Sequence, residues 1–389
     1  MLYTCAPGCR DPRHRHTASP SFTDASGATP SPPLEDGGGA GRGIATPRKA
    51  ARRIDVHCHY LQPAVAAKVA HLEPARYDPS TVFANALTRE TNQRQMQERS
   101  VALTDVARRL QDMDRMCVDL QVVSPAPFQY YYFTPPAVGA ALAREINEGM
   151  RALVDGHPGR FAALGTVPLQ DADLAVRELE HAMAHLGLRG AEIGTSVNGM
   201  DLTDPRLGLE RFFALANERE AVLFLHPVGF TEGGRLVDHY LNNVIGNPLE
   251  TTVAASRLIF DGVAARYPKI KFLLAHGGGY LASYWARMDH AWKARADCRT
   301  VIAEAPTRYL EKMYLDTVVF DPALLSNLIA RYGASQVLMG SDYPYDMGEE
   351  APVRLIESVA GLRESERALI LGGNAERVFG LQPQAVTTH

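Results

Sequence analysis

His57 and His59 sit one residue apart in Arg53-Ile54-Asp55-Val56-His57-Cys58-His59, a short apolar stretch with strand character. Side chains alternate across a strand, so the two imidazoles point to one side and Cys58, expected as a small core residue, to the other. Two neutral imidazoles at a strand end are half of a site for zinc or a similar ion. A second such pair, His14-Arg15-His16, stands in a segment with no strand pattern and no partners. Three more apolar runs end in a group that a purely structural strand does not need. His226 follows Ala221–Leu225 and precedes Pro227. His276 follows Phe272–Ala275 and leads into Gly277-Gly278-Gly279. Asp342 follows Val337–Ser341 and precedes Tyr343-Pro344. Any one of these is explained as a hydrogen-bonded structural residue, but four such strand ends in one chain point to a shared site.

The elements that must position these groups recur regularly from Arg53 onward. Strand-like runs fall at Ile54–Cys58, Leu120–Ser124, Phe161–Thr166, Gly190–Ile193, Val222–His226, Ile270–His276, Met313–Asp316 and Gln336–Gly340. Helical periodicity lies between them, including Ala137–Val154, Leu174–Leu186, Leu207–Arg219, Leu249–Tyr267 and Pro322–Tyr332. Eight strands alternating with helices imply parallel βαβ units closed into a (β/α)8 TIM barrel, an α/β fold whose chemistry collects at the C-terminal ends of the strands. Leu61–Arg99 is a long insertion after strand one and is expected to cap that face. The domain is thus 53–389. Residues 1–52 are rich in Pro, Gly, Ser, Thr and Arg, with little apolar periodicity, and are expected to be a disordered low-complexity tail.

Bulk properties narrow the classes. The formal charge of −4 gives no electrostatic footprint for nucleic acid. No apolar run reaches the roughly 18–20 residues of a membrane-crossing helix, and residues 1–52 lack the apolar centre of a secretory signal. The cysteines, Cys5, Cys9, Cys58, Cys117 and Cys298, are odd in number and scattered, as in a reducing compartment. A cytoplasmic protein with a small-molecule ligand, and no nucleic-acid or membrane partner, is expected.

Together, His57-x-His59, His226-Pro227, His276-Gly277-Gly278-Gly279 and Gly340-Ser341-Asp342-Tyr343-Pro344 resemble the amidohydrolase superfamily. Within it they resemble the branch that contains 2-amino-3-carboxymuconate-6-semialdehyde decarboxylase. The resemblance runs from about Arg53 to Gly380 and includes Asp112-Met113-Asp114, Pro248-Leu249-Glu250-Thr251-Thr252 and Gly372-Gly373-Asn374-Ala375. It implies that His57, His59, His226 and Asp342 bind one divalent metal, expected to be Zn2+. It implies that His276 is the acid/base, so that His276 and Asp342 form the catalytic pair around the metal's water. Members with two metals usually bridge them with a carboxylated lysine at the end of strand four; this chain has no lysine there, and Glu192 is the one residue that keeps a second metal conceivable.

Substrate carboxylates need cationic partners. The resemblance implies that Arg287 reaches the neighbouring subunit's site in a homodimer. A second family arginine falls at Gln97 here, with Arg94 and Arg99 close by, and Arg99 is expected to substitute for it. A tryptophan that usually follows the His-Pro pair is Val228. The resemblance implies that both departures fall in the substrate pocket. Phe128, Tyr130, Tyr131, Tyr132 and Phe133 either line a pocket for a planar ring or pack under the cap. The leading expectation is a metal-dependent, cofactor-free decarboxylase of a small unsaturated or aromatic carboxylate. The alternatives are a hydrolase or hydratase using the same water, and a metal-binding barrel without turnover.

Overall fold

The computed structural model describes residues 52–382. The expected tail lies outside that range except for Arg52, whose guanidinium donates to the Gly159 carbonyl at 2.6 Å.

Eight parallel strands build the centre: β1 (Ile54–Tyr60), β2 (Leu120–Pro125), β3 (Phe161–Ala163), β4 (Gly190–Gly194), β5 (Val222–His226), β6 (Lys271–Leu274), β7 (Tyr314–Asp316) and β8 (Val337–Leu338). They form a three-stranded sheet in the order β1-β2-β3 and a five-stranded sheet in the order β4-β5-β6-β7-β8. Two isolated parallel bridges join the sheets at both edges, Gly165 with Ala191 and Cys58 with Tyr343. Backbone hydrogen bonds run along both seams: Gly165 N to Gly190 O and Val56 N to Met339 O, each 2.9 Å. The arrangement is that of a TIM barrel, with helices between successive strands.

Apolar residues explain the packing. Ile54, Val56, Val122, Phe224, Leu273 and Leu338 form one buried cluster contributed by opposite strands. A larger cluster, with Cys58, Met113, Ile146 and Leu179 among its members, packs strands against the surrounding helices. The register of β1 on β2 shifts between Asp55 and Cys58, because one extra residue is accommodated there. A bulge of this kind re-aims side chains next to a site. Before it, Ile54 and Val56 join the inner cluster; after it, His57 packs edge-on against Phe224 with centroids 4.9 Å apart, and Cys58 faces the helices.

Several boundaries differ from the sequence reading. The helical stretch expected over Leu249–Tyr267 is two helices, Asn247–Phe260 and Val263–Arg266, divided at Gly262, whose φ of 80° suits glycine. The insertion after β1 carries the helices Pro63–Val69, Pro79–Val82 and Ala86–Thr104. A hairpin, Ser196–Val197 with Met200–Asp201, follows β4.

Candidate metal centre and active site

Five side chains meet at the C-terminal end of the barrel. His57 and His59 come from the end of β1, and His226 is the last residue of β5. His276 and Asp342 stand on the turns that leave β6 and β8. His57 Nε2 and His59 Nε2 lie 3.2 and 3.1 Å from the same carboxylate oxygen, Asp342 Oδ1. His276 Nε2 lies 3.5 Å from the other, Oδ2. The His226 ring centroid is 5.0, 4.7 and 5.2 Å from those of His57, His59 and His276. Donor atoms of His57, His226, His276 and Asp342 all fall within 4.8 Å of one another. His59 touches this group through Asp342 and is held on its other side, its Nδ1 3.4 Å from Glu192 Oε2.

The backbone makes room for this convergence. His276 and Asp342 adopt φ of 56° and 60°, left-handed values that cost a non-glycine residue roughly 1–2 kcal/mol. Such strain is typical of functional turns. Gly340 lets the β8 turn approach β1: a Cβ there would lie 2.8 Å from His57 Cβ and 3.1 Å from Asp316 Cβ.

Electrostatics prepares the groups differently. Burial pushes the Asp342 carboxyl up, but the His57, His276 and His59 imidazoles facing it hold it well below the usual carboxylate range. Burial, then the neighbouring His59, His57 and His276, push His226 well below its usual value, so it is neutral near neutral pH. Burial opposes protonation of His57, yet Asp342 and Asp316 raise it well above the ordinary histidine value.

The donor set fits one divalent cation. His57 Nε2, both His226 nitrogens and His276 Nδ1 are buried without a hydrogen-bond partner. Buried polar atoms are ordinarily paired; a cation beside the anionic Asp342 takes one nitrogen from a ring, so it would satisfy His57 Nε2 and one of the two His226 nitrogens. Glu192, the residue considered for a second metal, accepts from Tyr130 Oη at 2.6 Å and is raised by burial against the lowering effect of His59 and Tyr130.

Three positioning residues escaped the sequence reading. Asp316, the last residue of β7, accepts His57 Nδ1 at 2.6 Å and the backbone N–H of His276 and Gly277 at 2.9 and 2.8 Å. Its place at a strand's C-terminal end was the available signal. Asp55 accepts from Ser341 Oγ at 2.6 Å and from Gln121 Nε2 at 3.0 Å. Arg109, fully buried, donates to Gln121 Oε1 at 3.0 Å and to the His59 carbonyl, and lies 4.8 Å from the Tyr343 ring centroid. No local motif marks Arg109 or Asp55.

A cavity of about 200 Å3 opens over His226, His276 and Asp342. Helix Ala86–Thr104 lays Asn92, Gln95, Met96 and Arg99 along its rim, one face of a helix at three- and four-residue spacing. Arg99 is the one Lys or Arg among the described lining residues, and its guanidinium donates to the Pro344 carbonyl at 3.2 Å. Arg94 and Gln97 are exposed and off this lining. Arg287 is exposed on helix Leu281–Ala294, away from the cavity of its own chain.

The amidohydrolase family profile matches residues 54–381, which span every strand and every group of the site. The chain belongs to the amidohydrolase family. It is 36% identical over 279 residues to a 2-amino-3-carboxymuconate-6-semialdehyde decarboxylase of Dictyostelium discoideum, a match covering 71% of this chain and 76% of that one. Among solved structures, 5-carboxyvanillate decarboxylase from Sphingomonas paucimobilis superposes with a TM-score of 0.76 at 26% identity, covering 86% of this chain and all of that one. A dihydroxybenzoic acid decarboxylase from Polaromonas, solved with manganese and 2-nitroresorcinol, has the same fold (TM-score 0.72, 23% identity, 85% and 97% covered).

Proposed function

We propose that the protein is a metal-dependent, cofactor-free decarboxylase of a small aromatic carboxylate. The observation that carries this reading is the set of unpartnered imidazole nitrogens beside Asp342, beneath a cavity in which Arg99 is the one Lys or Arg among the described lining residues. The family's named relatives, decarboxylases of carboxymuconate and benzoate types, support the same reaction class.

His57, His59, His226 and Asp342 would hold the metal. Three nitrogens and one carboxylate suit zinc; manganese, present in the Polaromonas neighbour, is the competing choice. When bound, the cation supplies a Lewis acid beside the substrate. Arg99 binds an oxyanion of the substrate by charge-assisted hydrogen bonds and orients it over the site. Loss of carbon dioxide leaves the bond's electron pair on carbon, which must gain a proton. His276 is the most exposed of the four imidazoles, with 15% of its side chain accessible, and one of its nitrogens is unpartnered. An imidazole at the cavity floor is placed to exchange a proton with that carbon.

A homodimer in which Arg287 serves the partner's site, and a cytoplasmic location, belong to the same reading. Carbon dioxide release from a panel of hydroxybenzoates and carboxymuconates, with and without chelator, tests the function. Chelator-sensitive release supports it. Hydrolysis of an ester or lactone panel without carbon dioxide would make the protein a hydrolase, and full metal occupancy without turnover would make it a binding barrel.

A further inference from the structure

Val228 lies where two cavities meet. It lines the catalytic cavity and, together with Asp78, Met96, Pro127, Phe128 and Gly229, also lines a second cavity of about 320 Å3. The second cavity extends away from the metal centre, between the cap segment around Pro74–Pro79, the aromatic run Tyr130–Phe133 and the turn after β4.

Its character is opposite to that of the first. The tyrosines of its wall turn their hydroxyls to partners in the protein. Tyr130 donates to Glu192 at 2.6 Å, Tyr131 Oη accepts from Gln129 at 3.3 Å, and Tyr132 Oη accepts the Gly194 N–H at 3.2 Å. Asp78, Thr195, Ser196, Asn198 and Thr231 add polar groups to the lining, but most of the wall is apolar, from rings, prolines, Met96 and Val228. Tyr77 from the cap stacks on Phe133 with centroids 4.2 Å apart and planes within 3°, bracing the outer end. No Lys or Arg is among its described lining residues, whereas Arg99 stands in the catalytic cavity. A ligand lying across both would place its anionic end by Arg99 and the imidazoles, and an apolar end among the aromatics. Burial of a ring there is worth more than tenfold in affinity by ordinary area arguments.

Resting on the decarboxylase reading, we propose that this second cavity is a subsite for an apolar aryl substituent. The substrate is then an aromatic carboxylate extended at the end remote from its carboxylate, and Val228 sets how far it can extend.

The test is calorimetric binding of two acids, 2-hydroxybenzoate and 2-hydroxy-4-phenylbenzoate (the biphenyl acid), to the full-length, metal-loaded protein. The wild type is expected to favour the biphenyl acid by about tenfold or more. Val228→Trp places a large ring in the junction and is expected to bring the ratio of the two affinities to about one. Ala75→Trp approaches from the exposed outer wall, outside the catalytic cavity, and is expected to lower the same ratio; it keeps the test readable if Val228→Trp does not fold. A wild-type ratio near one, or a ratio that survives both substitutions, overturns the proposal. Carbon dioxide release is scored separately: an acid that binds with the expected preference but is never decarboxylated counts against the reaction and leaves the subsite standing.

Discussion

His57 Nδ1 lies 2.6 Å from Asp316 Oδ2, both side chains fully buried, while His57 Nε2 faces Asp342. A carboxylate behind an imidazole fixes its tautomer and turns the opposite nitrogen toward a metal. Asp316 also accepts the N–H groups of His276 and Gly277, so one carboxylate aligns β1 with the turn after β6. Asp316→Asn should weaken metal affinity by about 10–100-fold, read by competition with a chromophoric chelator. Unchanged affinity would show that Asp316 is a structural partner only.

His276 and His59 compete for one role. The tightest donor group contains His276, while the family resemblance makes His59 the ligand. The proposed acid/base role of His276 rests on its exposure at the cavity. His276→Ala is therefore expected to retain metal by elemental analysis while turnover falls about 10²–10⁴-fold. His59→Ala should lose the metal. The reverse pattern would exchange the two roles.

The barrel and the side chains that converge at its C-terminal end were legible because each rests on a local pattern. A strand's alternation places His57 with His59, and a polar residue at the end of an apolar run announces itself at His226, His276 and Asp342. Arg109 and Asp55 were not legible. They are joined through Gln121, Arg109 to Gln121 at 3.0 Å and Gln121 to Asp55 at 3.0 Å, a link across two strands and a helix that no spacing encodes. The bulge in β1 was equally silent, since register depends on the partner strand. Val228 was visible only as a departure from the resembling branch; its place between two cavities needed the cap.

Metal stoichiometry separates the two roles open to Glu192. Its Oε1 accepts from Tyr130 at 2.6 Å, while its Oε2, 3.4 Å from His59 Nδ1, has no hydrogen-bond partner and is the one oxygen left for an ion. The loaded protein is expected to hold about one metal per chain. A content near two would assign Glu192 to a second ion.

Asp112 offers a pH test outside the metal set. Burial pushes its carboxyl up, but hydrogen bonds from Tyr343, Arg108 and Arg115 outweigh this and lower it below 3.8. A carboxyl lowered in the folded state stabilises the fold above its unfolded pKa, and that contribution fades as pH falls through the folded value. Asp112→Asn should therefore melt below the wild type at pH 6, and the gap should narrow steadily in acid below the ordinary carboxylate range. A gap that stays constant would mean that the Asp112 contacts act through shape and not charge.

Arg287 separates a monomeric from a shared site. The residue is exposed on helix Leu281–Ala294 beside Tyr284, which is 64% exposed, and it does not line the cavity of its own chain. If it completes the partner's site, Arg287→Ala and His276→Ala are each defective alone but repair each other when mixed. In a mixed dimer one site has the intact Arg287 of one chain and the intact His276 of the other. Random reassociation of equal amounts should restore roughly a quarter of wild-type sites, since half the dimers are mixed and half their sites are whole. Recovery should appear only after dissociation and reassociation, and should scale with the mixed species resolved by native mass spectrometry. No recovery, with mixed dimers present, would place Arg287 outside the site and leave Arg99 as the carboxylate's cation.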